Sequence, residues 1–118
     1  MVRSLIFAGA LALLPSTPTL AAGGPIQTGN DLFTECDSKD EVRQLSCLAW
    51  VAGFVQGFEI AQTSAGVAAI CLPQGSTVSQ YRDVIVALLS NRPEIRHMRI
   101  DAISVSALVK AFPCKAPN

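Results

Sequence analysis

Apolar residues recur at three- and four-residue intervals in three stretches of the chain, and residues that start or stop helices bound each stretch. The longest follows Ser38-Lys39-Asp40-Glu41, where a hydroxyl and a carboxylate three residues later satisfy the unpaired amides of a helix start. A helix is expected from there to about Gln62. Val42, Leu45, Leu48, Ala52, Val55 and Glu59 mark one stripe along it, and Cys47, Val51, Phe54 and Phe58 mark another beside the first. So wide an apolar surface reads as the central helix of a bundle. Gly53 and Gly57 fall four apart on one face, and each weakens a helix by about 1 kcal/mol relative to Ala, so a close neighbouring backbone is expected there. Trp50, Phe54 and Phe58 repeat at four-residue intervals. They are expected in the core, with a dimer or partner surface as the rival if a small bundle leaves one stripe uncovered.

Thr77-Val78-Ser79-Gln80 is a second capping box, opening a helix to about Asn91 whose buried face carries Val78, Tyr81, Val84, Ile85, Leu88 and Leu89. Arg92-Pro93 restarts the chain in a short turn through about His97. A last helix from about Arg99 presents Ala102, Ile103, Val105, Leu108, Val109 and Phe112, and Pro113 stops it. Upstream, Asn30 is expected to cap a short helix from Asp31 to about Cys36. Between the second and third helices, residues 63–76 hold two glycines and a proline without clear periodicity, and they read as a long loop. No segment alternates with turn pairs. The expected fold is all-α, a small bundle of four to five helices.

The first 22 residues stand apart from this pattern. Arg3 precedes a ten-residue apolar run, Leu5 to Leu14, and Pro15 to Thr19 break it before the small-residue exit Thr19-Leu20-Ala21-Ala22. That is the layout of a secretory signal peptide cut after Ala21 or Ala22. A spanning helix needs about 20 apolar residues, so release is expected and no membrane anchor. Residues 23–118 then form one small domain, a size at which a core benefits from covalent staples. Cys36, Cys47, Cys71 and Cys114 are even in number and lack any C-x-x-C pair, which argues for disulfides over zinc or redox motifs. Three pairings are possible. Cys36 with Cys47 and Cys71 with Cys114 is preferred, closing a helical hairpin and tying the C-terminus to the middle, for roughly 3 and 4 kcal/mol in the chain-entropy model.

Charge and composition narrow the function. Nine basic residues balance nine acidic ones and half the residues are apolar, which excludes disorder and makes nucleic acid an unexpected target. The balance is uneven along the chain: six acids face two bases between Asn30 and Ile60, and six bases face three acids from Ala61 onward. Such a separation can steer a charged partner. Arg92, Arg96, His97 and Arg99 are the densest basic group. The single histidine, the absence of G-x-S-x-G and the lack of a phosphate cradle leave no catalytic device or cofactor site in view, so no enzyme is expected.

Asp31-Leu-Phe-Thr-Glu-Cys36, Cys47 followed by Val51-Ala-Gly-Phe-Val-Gln-Gly57, Cys71-Leu-Pro, and Ala107-Leu-Val-Lys-Ala-Phe-Pro-Cys114 together resemble the Tai family of immunity proteins. The resemblance runs from about Gly29 to Cys114. It implies a periplasmic, all-helical, often dimeric protein without enzymatic activity, which neutralises a peptidoglycan amidase effector of the type VI secretion system by occluding its groove. A groove is plugged best by a rigid projection, since flexible plugs lose affinity to ordering entropy. The expected contact residues are therefore Thr63, Ser64, Gly66 and Gln74 in the loop, and Arg92, Arg96, His97 and Arg99 at the helix break. An acid-stress chaperone of the HdeA type and an exported binding protein of other target are the alternatives.

Overall fold

A computed structural model of the chain describes residues 24–115. The expected signal peptide, residues 1–22, lies outside the described residues. Four α-helices follow one another: α1 Gly29–Cys36, α2 Glu41–Ala65, α3 Val78–Asn91 and α4 Ile100–Ala111, with one 3-10 turn at Pro93–Ile95 between the last two. No strand occurs among the described residues, only two isolated bridges, Thr28 with Arg99 and Ile70 with Pro113. The fold is the expected all-α bundle, closed by Cys36–Cys47 and Cys71–Cys114.

Local chemistry sets the helix starts, in two places differently from expectation. Thr28, not Asn30, caps α1: its hydroxyl accepts from the Asp31 amide at 3.3 Å, while Asp31 Oδ2 accepts from the Thr28 amide at 2.8 Å. Thr28-x-x-Asp31 is itself a capping box, and the carbonyl of Asn30 already accepts from Thr34 Oγ1 within the helix. At α2 the cap is Asp40, whose carboxylate accepts from the Arg43 amide at 3.0 Å, and Ser38 steps back to accept from the Asp40 amide. A carboxylate next to the free amides of a helix start outcompetes a hydroxyl two residues earlier. Thr77 and Gln80 form the expected reciprocal box at α3.

Helix α2 also runs past Gln62 to Ala65, because nothing before Gly66 breaks it. Gly66 ends it in the left-handed region at φ 67°, where a Cβ would be strained, and the Val67 amide reaches back to the Gln62 carbonyl. Thr63 and Ser64, expected in the loop, thus belong to the last turn of the helix.

The core gathers Leu32 from α1, Cys47 and Val51 from α2, Ile85 and Leu89 from α3, and Leu108 from α4, all sealed from solvent. From α2 the core takes Cys47 and Val51 of one expected stripe and Val55 of the other, and the first turns of the Val42 stripe stay outside it. Val42 and Leu45 are 68% and 66% exposed, because the eight-residue α1 is too short to cover both sides of a 25-residue helix. No atom lies within 4 Å of a Cβ built on Gly53 or Gly57, so the close approach expected there is absent. It occurs instead at Gly29, where a Cβ would meet Leu89 Cδ2 at 2.8 Å and the Arg96 carbonyl oxygen at 2.9 Å. Trp50, Phe54 and Phe58 form a partly buried ladder, the first pair stacked at 5.2 Å between centroids.

Candidate partner-binding surface

The loop from Val67 to Ser76 is short of secondary structure and rich in anchors. Gln62, in the last turns of α2, turns its side chain onto it. Its Oε1 accepts from the Ala69 and Ile70 amides at 2.7 and 2.6 Å, and its Nε2 donates to the Ile70 carbonyl at 3.1 Å. Ile70 inserts into the core at 5% exposure, between Val55 and Phe58 of α2 and Leu108 of α4. The next residue is tied twice to the chain end: the Cys71 amide donates to the Phe112 carbonyl at 3.0 Å, and its sulfur is bonded to Cys114.

The second half of the loop is held at the start of α3. Ser76 Oγ contacts both the Pro73 carbonyl and the Tyr81 hydroxyl, and the Tyr81 ring meets Phe112 edge-on at 5.7 Å. Gly75, at φ 85°, makes the turn between these anchors. Two tips are left projecting, Val67 to Ala69 and Pro73 to Gly75, with Val67 60% exposed. A shallow groove of about 280 Å³ runs between the second tip and Gln80, Val84 and Phe112. A short exposed segment clamped at Ile70, Cys71 and Ser76 can meet a partner with little loss of loop entropy on contact.

The expected contact residues separate into two groups. Thr63 and Ser64 are exposed on the end of α2, Gly66 caps it, and Gln74 occupies the second tip, so these four surround the loop. Arg92, Arg96, His97 and Arg99 lie at the other end of α3, about 20 Å away for a helix of 14 residues. There the cations are largely engaged within the chain. Arg92 pairs with Glu94, and Arg99 Nη2 donates to Asp101 at 2.5 Å. These bonds hold the Glu94 and Asp101 carboxyls below their ordinary range and raise the Arg99 guanidinium. Arg96 lies over the Phe33 ring at 3.7 Å and donates from Nε to the Leu89 carbonyl at 2.7 Å, which makes it a brace between α1 and α3. His97 is exposed beside an open groove of about 470 Å³ that Trp50, Ile26 and Ile100 also line.

Sequence reasoning passed over Gln62, because its three partners lie seven and eight residues on and are chosen by the path of the loop. It also passed over Glu35, 8% exposed, whose Oε1 accepts from Arg43 Nε and Nη2 at 3.2 and 3.1 Å and joins α1 to α2. Among the described residues, no group of three or more His, Cys, Asp or Glu is placed to hold a metal ion, and no helix is long and apolar enough to cross a membrane.

Comparison with known proteins gives one finding. The model of the Rap1a immunity proteins matches residues 28–114. No curated protein and no solved structure matches the chain. The matched span begins at the residue that caps α1, ends at the last cysteine and contains all four helices and the clamped loop, so the chain belongs to the Rap1a immunity protein family, which corresponds to the Tai-type immunity proteins of type VI secretion.

Proposed function

We propose that this protein is exported with cleavage of residues 1–22, oxidises in the periplasm, and neutralises a type VI secretion peptidoglycan amidase by seating its clamped loop in the effector's substrate groove. The observation that carries the reading is the loop itself: three anchors at Gln62, Cys71 and Ser76 fix a segment whose tips stay in solvent. The chain acts by binding, not by catalysis, in keeping with membership of an immunity family. Oxidising surroundings suit two disulfides, and an effector that works in the periplasm requires its antidote there.

Of the two groups of contact residues, the loop group of Thr63, Ser64, Gly66 and Gln74 is the primary surface. The group of Arg92, Arg96, His97 and Arg99 has its three arginines occupied within the fold, and it is assigned a flanking role. The test begins with a pull-down by the oxidised mature chain, followed by peptidoglycan hydrolysis assays on the amidase recovered. The paired change Val67→Glu and Gln74→Arg is expected to weaken inhibition at least tenfold while leaving the circular dichroism unchanged. Full inhibition by that variant would rule out the loop as the plug, and loss only on Arg92→Glu with Arg99→Glu would move the contact to the opposite end of α3.

A further inference from the structure

The two disulfides stand in opposite surroundings. Cys47 is sealed in the core and Cys36 packs against it, whereas Cys71 is exposed, Cys114 is half-buried, and neither is part of the core. Thiol–disulfide exchange proceeds by attack of a thiolate on one sulfur while the other leaves with the electron pair. At Cys36–Cys47 both directions are blocked. Cys47 offers no surface to attack, and attack on Cys36 would place the departing negative charge on Cys47 among apolar side chains, where a charge is costly. At Cys71–Cys114 the attacked sulfur belongs to an exposed residue and the leaving one to a residue that water reaches.

Charge adds to the contrast. Within five residues of Cys36 and Cys47 the chain carries five acids against Lys39 and Arg43, but within five residues of Cys71 and Cys114 the charged side chains are Lys110 and Lys115 alone. An anionic thiolate is drawn to the second pair and repelled from the first. The bundle also has ties that do not need this bond. Ile70 is buried, Gln62 holds the amides of Ala69 and Ile70, and the Cys71 amide donates to the Phe112 carbonyl.

We propose that Cys71–Cys114 is a thiol–disulfide exchange site, reduced by a dithiol while Cys36–Cys47 stays oxidised, and that its redox state sets how tightly the loop is tied. One thiolate of the dithiol bonds to Cys71 Sγ as the Cys71–Cys114 bond breaks, and the electron pair leaves on Cys114 Sγ, which takes a proton from water. The second thiolate of the reductant then attacks its own sulfur in the mixed disulfide, forms the reductant's disulfide and releases Cys71, which is protonated in turn. The chain gains two electrons and two protons, and the dithiol loses the same. This goes beyond the immunity reading and does not depend on the identity of the effector.

The mature oxidised chain, held in dithiothreitol without denaturant, alkylated with iodoacetamide at intervals and read by peptide mass spectrometry, tests it. Label is expected at Cys71 and Cys114 at least about tenfold faster than at Cys36 and Cys47, with circular dichroism unchanged when the first pair is complete. Hydrogen exchange is then expected to rise at residues 71–76 and 112–115 and to hold steady in α1. Label on all four cysteines together would overturn the proposal, because it would tie both reductions to global unfolding, and so would earlier label at Cys36 and Cys47. The variant Cys71→Ser with Cys114→Ser is expected to keep wild-type helicity and to show the raised loop exchange of the reduced chain. Loss of its fold, or loop exchange equal to that of the oxidised wild type, would overturn the link between this bond and the loop.

Discussion

Replacing Gln62 by Ala removes the clamp on the loop while sparing both disulfides and the helix that carries it. Three hydrogen bonds disappear, but they are not equivalent. The Ala69 amide is exposed and regains water, so its loss costs little. Ile70 is 5% exposed, and its amide and carbonyl lose their partner where water has poor access. Each buried group left unpaired costs about 1–3 kcal/mol, and a few tenths return because Ala is the better helix former. The expected destabilisation is about 2–5 kcal/mol. Urea unfolding of the oxidised mature chain should show it as a lower midpoint at unchanged slope, and hydrogen exchange should show lost protection at Ile70 before any change in α3. Gln62→Glu keeps an acceptor for the two amides and loses only the donor, so it should cost less than Gln62→Ala. A cost below about 0.5 kcal/mol, the low end for a single net hydrogen bond, together with unchanged exchange at residue 70, would refute the reasoning and leave the Cys71–Cys114 bond as the sole restraint.

Other consequences of the packing are open to the same methods. Ser104 is fully buried on α4 with an unpaired hydroxyl, so Ser104→Ala should stabilise by about 1 kcal/mol, read as a melting temperature higher by several degrees; a loss of stability would mean that the hydroxyl has a partner. Gly29→Ala forces a methyl against the backbone of Arg96 and should destabilise by about 1–3 kcal/mol, whereas Gly53→Ala, over open space, should stabilise; equal effects at the two positions would contradict the close approach of α1 to the Pro93–Ile95 turn. Hydrogen bonds from the Thr28 amide and hydroxyl and the Gln27 amide hold the Asp31 carboxyl below its ordinary value. Its contribution is therefore present above the unfolded value of about 3.9 and lost as pH falls through the folded one, so the stability gap between wild type and Asp31→Ala should narrow on acidification below about pH 4, and a gap independent of pH would remove Asp31 from the cap.

Much of the helical frame was legible in residue order, because caps and stops are local signals. Thr77 with Gln80, Pro93 and Pro113 each act within one turn of their own position, and each does so in the structure. Where two local signals compete, order alone does not rank them: Ser38 and Asp40 both fit a cap, and so do Thr28 and Asn30. The start of a helix then depends on which side chain reaches the free amide. Whether the Val42 and Leu45 side of α2 is covered was left open by residue order, since it depends on whether another element is long enough to reach it. The expected site shows the same division. The loop was visible from its glycines, proline and cysteine, and its stiffness was not, because that stiffness comes from Gln62, Ile70 and Tyr81, residues whose partners are set by the tertiary path.

The loop separates what it costs to fold from what it offers to touch. Ile70, Cys71 and Ser76 are committed to the interior or to covalent and polar ties, while Val67, Ala68, Pro73 and Gln74 face solvent. Changes at the tips therefore leave the stability of the bundle almost untouched, since surface substitutions away from such ties usually stay within about 0.5 kcal/mol. Under the proposed function, a contact loop built this way can be retargeted by a few substitutions at its tips without loss of the fold. Were the loop the contact proposed, that freedom would let it follow changes in a partner's surface while the scaffold stands still.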